Sequence, residues 1–166
     1  MLLALALLAS PADAGTKAVL GVHHEWTAPM ADSGGTLGGG IGGDVGLGFN
    51  FKIARLIPEI GATYYYNSGV VTPRLGGRFL FGFIVMPGVY THVNSAFGGP
   101  FNGELGFDAG VSLDIAVPFV RFGGYGGLMF QGGEGGAGIP DQNFVAGIQI
   151  AFSIPLKAVK AATPGI

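Results

Sequence analysis

Ile41-Gly42-Gly43-Asp44-Val45-Gly46-Leu47-Gly48-Phe49-Asn50-Phe51-Lys52 is the stretch that decides the fold. Its odd positions are apolar apart from Gly43, and its even positions are glycine, Asp44, Asn50 or Lys52. Side chains of a strand point alternately to its two faces, so a period of two is the signature of a strand with unlike sides. The same pattern recurs between residues 104 and 115. There Leu105, Phe107, Ala109, Val111, Leu113 and Ile115 oppose Glu104, Gly106, Asp108, Gly110, Ser112 and Asp114. A third copy runs from 144 to 154, with Phe144, Ala146, Ile148, Ile150, Phe152 and Ile154 opposing Val145, Gly147, Gln149, Ala151 and Ser153.

Five further segments follow the rule. Glu59, Gly61, Thr63 and Tyr65 oppose Ile60, Ala62, Tyr64 and Tyr66, and Arg74, Gly76, Arg78 and Leu80 oppose Leu75, Gly77, Phe79, Phe81 and Phe83. Arg121, Gly123, Tyr125 and Gly127 oppose Phe122, Gly124, Gly126, Leu128 and Phe130. Residues 16–25 and 86–95 complete a set of eight, each long enough for a tilted strand to cross a bilayer. The composition agrees. Of 166 residues 33 are glycine, 49% are hydrophobic and only 11% are charged, against about 25% charged in an ordinary soluble domain. That excludes a disordered chain, and the lack of a basic block at a net charge of −2 excludes nucleic acid as a partner. With no cysteine, disulfides, zinc–thiolate sites and thiol catalysis are excluded together.

No run of about 18 apolar residues is present, so high hydropathy points to a β core or a spanning barrel. Charged residues from several strands decide which. Asp44, Glu59, Arg74, Arg78, Glu104, Asp108, Asp114 and Arg121 all fall on the glycine-rich face, which therefore lines the lumen, while the apolar face meets lipid. Paired charges fill such a narrow interior as a structural network that also takes in His92, and glycines make room for the long Arg and Tyr side chains. Arg78 is expected to neutralise Asp108 or Asp44. Outward aromatics at Phe49, Phe51, Tyr64, Tyr66, Phe81, Phe83, Phe130 and Phe144 form the interfacial girdles. A soluble lipocalin-like barrel carrying an apolar ligand is the alternative, and it would need a far more charged outside.

Short turns are expected at 52–56, 84–86 and 116–118, and longer glycine-rich loops at 26–35, 67–72, 96–101 and 131–142. Long and short alternate, as in an up-and-down barrel. Leu2 to Ala9 followed by Ser10-Pro11-Ala12-Asp13-Ala14 reads as a signal peptide, although no Lys or Arg precedes Leu2. The expected organisation is thus a signal peptide at 1–14, a barrel at 15–156 and a tail at 157–166.

In strand pattern, loop alternation and the aromatic-ended Ile148-Gln149-Ile150-Ala151-Phe152, the chain resembles the small eight-stranded outer-membrane β-barrels of the OmpA/OmpX type from Gram-negative bacteria. The resemblance implies an all-β, eight-stranded antiparallel up-and-down transmembrane barrel in the cell outer membrane. It also implies outer-membrane lipid as surroundings and the barrel-assembly machinery as a partner during insertion; an extracellular partner is expected at the loops 26–35, 96–101 and 131–142, since loops on a rigid scaffold carry recognition. The expected role is structural or surface interaction, with no wide pore, no catalysis, no cofactor and no metal.

Two residue groups invite sharper readings. His23 and Glu25 share a face while His24 points away, and two such groups at a loop mouth make no metal site. His92, Ser95 and Glu104 bring to mind the outer-membrane lipid A deacylases, the runner-up reading. That family carries His-x-Ser, whereas His92-Val93-Asn94-Ser95 sets base and nucleophile on opposite faces. His92 is expected instead to pair with groups around Arg78 or with Glu104. The run Gly132 to Gly138 lacks the ending of a phosphate loop and reads as an extracellular loop.

Overall fold

A computed structural model describes residues 15–30, 37–99, 101–131 and 141–156. The expected signal peptide (1–14) and tail (157–166) lie outside the described residues, as do 31–36, Pro100 and the glycine-rich run at 132–140. Eight strands follow one another: β1 Thr16–Pro29, β2 Gly39–Phe51, β3 Ala54–Tyr65, β4 Val70–Phe81, β5 Val85–Gly98, β6 Phe101–Val117, β7 Val120–Gln131 and β8 Asp141–Pro155. Each pairs antiparallel with the next, and β1 pairs with β8 from Lys17↔Pro155 to Pro29↔Asn143, which closes the barrel. Closure leaves no strand edge bare, the condition for a β structure to sit in hydrocarbon.

Alternation sorts every strand. Leu75, Val111, Ile148 and Phe51 stand out on the outer surface, whereas Asp44, Arg78, Asp108 and Gln149 are buried inside. The outside is apolar along its whole middle, and aromatic residues mark both ends. Phe49, Phe51, Phe81 and Phe119 stand at the turn end; Trp26, Tyr64, Tyr66 and Phe144 stand at the loop end. Prolines are accommodated by interruptions of the ladder. The β2–β3 pairing lapses between Gly46↔Glu59 and Phe49↔Leu56, beside Pro58, and the β4–β5 pairing lapses between Val71↔Phe97 and Arg74↔Asn94, beside Pro73. Neither proline has an N–H to give there.

The connections depart from strict long–short alternation. The turn end has 52–53 and 118–119, shorter than expected, and 82–84, of the expected length but two residues earlier because β4 ends at Phe81. At the loop end, β3 and β4 are joined by 66–69 alone, and β5 and β6 by residues 99–100. The expected loop at 67–72 is therefore strand from Val70 on, and that at 96–101 is strand up to Gly98 and again from Phe101. Their glycines serve tight geometry instead of slack. Gly69, with φ of +68°, closes a turn in which its N–H donates to the Tyr65 carbonyl at 2.9 Å. Gly103, with φ of +86°, is the extra residue where the β5–β6 register shifts between Ala96 and Phe97.

Inside, three layers follow the barrel axis. Val19, Ile57, Leu80, Met86 and Ala151 form an apolar plug at the turn end. Leu37, Val70, Ala96, Met129 and Val145 pack together toward the loop end, joined by Tyr65, Tyr90 and Tyr125. Glu25, Asp44, Glu59, Arg74, Arg78, His92 and Asp108 lie between, while Asp114 and Arg121 stand at the level of the plug, opposite Met86 and Ala151.

Candidate functional site: the charged interior

Three groups of polar side chains tie the strands together across the lumen. The first centres on Arg74 of β4. Its Nε and Nη2 donate to Asp44 Oδ1 and Oδ2 of β2, each at 2.9 Å, in a bidentate pair. Its Nη1 reaches Glu25 Oε2 of β1 at 3.4 Å. Glu25 also accepts from the Tyr65 hydroxyl of β3 and, at 2.5 Å, from the Tyr125 hydroxyl of β7. His23 places Nδ1 3.0 Å from Asp44 Oδ2 and Nε2 2.8 Å from Thr63 Oγ1. Five strands thus meet around two carboxylates and one guanidinium.

The second group runs around the other side of the wall. Arg78 Nε of β4 donates to Glu59 Oε1 of β3 at 2.7 Å. His92 of β5 lies between Glu59 Oε1 and Asp108 Oδ1 of β6, at 2.8 Å from each. Asn94 Nδ2 donates to Asp108 Oδ2 at 3.1 Å, and Gln131 Nε2 of β7 donates to Asn94 Oδ1 at 2.8 Å. The Arg78 guanidinium lies 5.8 Å from the Tyr90 ring centre and 5.3 Å from that of Tyr125, which joins this group to the first. A third, smaller group near the turn end holds Asp114 of β6. It accepts from Gln149 Nε2 of β8 at 2.7 Å, with Arg121 Nε of β7 3.9 Å away.

Glycine is what makes the interior fit. A Cβ at Gly61 would strike Asp44 Oδ1, one at Gly123 would strike Asp114 Oδ1, and one at Gly76 would strike the His92 ring. Each of these glycines faces the lumen on a strand next to the side chain it accommodates.

The nine residues singled out in the sequence are placed as follows. Asp44 and Arg74 share the first group, Glu59, Arg78, His92 and Asp108 the second, and Asp114 and Arg121 the third. Glu104 is half-buried near the loop end of β6, opposite Ala96. Arg78 does not neutralise Asp108 or Asp44. Its hydrogen-bonded partner is Glu59, whose strand runs beside its own, because register brings Glu59 diagonally across from Arg78. His92 takes Arg78's partner Glu59 and Asp108, one with each ring nitrogen.

Sequence reasoning left His23 and Glu25 at a loop mouth; both are buried members of the network. The signal was there in their shared parity with Gly21, but β1 extends to Pro29 and so carries them deeper. Tyr65, Tyr125, Thr63, Asn94, Gln131 and Gln149 complete the network as uncharged donors. Ser95 falls on the face of β5 opposite His92. Among the described residues no group of three or more His, Asp or Glu side chains is arranged to hold a metal ion.

Several buried polar atoms, including Arg78 Nη1, Asp114 Oδ2, Tyr90 Oη and Ser112 Oγ, have no hydrogen-bond partner among the described residues. The interior is thus polar enough to hold single waters. Chemically the arrangement cross-links strands. Each ring nitrogen of His92 already faces a carboxylate, and the first two groups lie between apolar layers at both ends.

No protein-family model matches the chain, and no curated protein sequence matches it. The fold is similar to the crystal structure of Neisserial surface protein A (NspA), with a TM-score of 0.57 and 14% identity over 85% of this chain and 97% of that one. A structure described as a de novo design of transmembrane beta-barrels is similar at a TM-score of 0.49 and 13% identity, over 83% of this chain and 95% of that one. The chain has the fold of the small eight-stranded outer-membrane barrels.

Proposed function

We propose that this chain is a resident of the cell outer membrane with a structural or surface-interaction role, without catalysis and without a wide pore. The observation that carries the reading is the interior. Two cross-strand networks lie between an apolar plug of Val19, Ile57, Leu80, Met86 and Ala151 and the loop-side cluster around Leu37, and a third stands at the level of the plug. Such a lumen resists solute passage and braces the wall. In this reading residues 1–14 are the export signal and 157–166 a tail after the last strand. The barrel-assembly machinery inserts the chain, and an extracellular partner meets the loops after β1 and β7, because the connections at 66–69 and 99–100 are too short to offer much surface.

Fractionation of cells expressing the chain tests the location: recovery with the outer membrane is expected, and recovery in soluble periplasm refutes it. Planar-bilayer recording tests the sealed lumen. A silent bilayer is expected, and steady conductance of a general porin overturns that part. A lipid A mass spectrum unchanged by expression is expected of a barrel without lipid-modifying activity.

A further inference from the structure

Outside the lumen, charge is segregated along the barrel axis. Among the described residues, the cations outside the hydrogen-bonded lumen groups are Lys17, Lys52 and Arg55, all at the turn end of β1–β3, with Arg55 in the field of Asp114 from the third group. No Lys or Arg stands at the loop end among the described residues, where Glu104 is found.

The three cations form one arc. Lys17 of β1 pairs with Gly48 of β2, and Arg55 of β3 pairs with Asn50 of β2. Arg55 Nε donates to Asn50 Oδ1 at 2.6 Å, and Asn50 Nδ2 donates to the Gly15 carbonyl at 2.9 Å, which holds the side chain at the turn-end rim. A Cβ at Gly48 would come 3.3 Å from Val19 Cγ2 and 3.9 Å from Arg55 Cδ, so the Arg55 stem runs past Gly48 beside the apolar plug. Lys52 occupies the exposed tip of the β2–β3 turn. Immediately outside the arc, Phe49, Phe51, Ile53 and Leu56 point away from the barrel.

We propose that this rim is a docking surface for anionic phospholipid headgroups in the leaflet at the turn end. It rests on the transmembrane reading above. Long Lys and Arg stems reach from an apolar boundary to a polar layer, and anionic headgroups attract cations placed there. Guanidinium matches phosphate in a bidentate way, with lysine adding a point charge. The adjoining apolar side chains select a lipid over a free phosphate, because they place the cations at the edge of the hydrocarbon. The loop end lacks cations for such a match, so the same feature gives the barrel a preferred direction in an asymmetric charged membrane.

The test inserts the full chain into vesicles of phosphatidylcholine with a minor share of phosphatidylglycerol, extracts it in mild detergent and measures the retained lipid by mass spectrometry. Phosphatidylglycerol retained several-fold above its bulk share is expected. The excess should fall toward the bulk ratio in K17Q/K52Q/R55Q, fall part-way in K52Q alone, and shrink in about 1 M salt, where the screening length is about 3 Å. Insertion with retention at the bulk ratio, or an excess untouched by the triple change, overturns the proposal alone. An excess displaced by inorganic phosphate indicates a soluble-anion site and overturns it too. Failure of the chain to insert into either lipid overturns the transmembrane reading and this proposal with it.

Discussion

His92 Nδ1 lies 2.8 Å from Asp108 Oδ1, on strands that place the two residues directly opposite each other. The other ring nitrogen lies as close to Glu59 on β3, so one imidazole spans β3, β5 and β6 past the intervening β4. Each ring nitrogen thus meets a carboxylate oxygen, so the imidazole links three strands. Gly76 of β4, where any side chain would meet the ring, is what lets it lie there.

Removing that ring leaves two buried acidic side chains each short of a hydrogen-bond partner. His92→Leu is expected to cost about 3–5 kcal/mol, less where water enters. His92→Gln, which keeps an amide donor, is expected to recover part of it. Urea titration of the folded barrel in micelles checks both, and a parental midpoint for His92→Leu would sink the idea of a braced wall.

The Arg78–Glu59 pair makes a separate test of partner choice. Arg78→Ala should destabilise by about 3–5 kcal/mol, and adding Glu59→Gln should recover a share because the orphaned charge is gone. Adding Asp44→Asn to Arg78→Ala should recover little, since Asp44 is held by Arg74. Equal recovery from both second changes would contradict the pairing.

Two adjacent glycines of β7 should behave oppositely. Gly123 faces the lumen against the Asp114 carboxylate, and Gly124 faces outward with only the Gly147 carbonyl at van der Waals distance. Gly123→Ala should lower folding yield markedly, whereas Gly124→Ala should stay within about 0.5 kcal/mol of the parent. Comparable losses would show that the lumen tolerates displacement of Asp114.

Ile150 and Gln149 test which face meets lipid. Ile150 is 40% exposed and points outward, and Gln149 is 6% exposed and donates to Asp114. Ile150→Arg should cost about 2–4 kcal/mol in liposomes, as a charge in hydrocarbon. Gln149→Leu should cost about 1–3 kcal/mol, through the lost hydrogen bond to a buried carboxylate. Folding of the parent in plain buffer, with no lipid or detergent, would refute the membrane face altogether.

Strand number, strand direction and the inner and outer faces were legible in the sequence. Each rests on alternation, and alternation is a local property of an extended chain. Ile41 to Lys52 announces its two sides without reference to anything else in the molecule. The glycines at 69 and 99 were misjudged as slack because composition cannot tell a flexible loop from a turn that needs a positive φ. The reach of β1 to Pro29, which buries His23 and Glu25, escaped notice for a related reason: a strand end is set by its partner β8.

Partner choice inside the barrel belonged to tertiary structure alone. Tyr125 reaches Glu25 across 100 residues of sequence, and Arg78 takes Glu59 although Asp44 and Asp108 are also acids on the inner face. Parity assigns a side chain to the lumen but says nothing of its height along the axis or its direction across it. Those depend on the register of every strand pair and on closure of β1 against β8, and a shift of two residues would preserve each face while exchanging the partners.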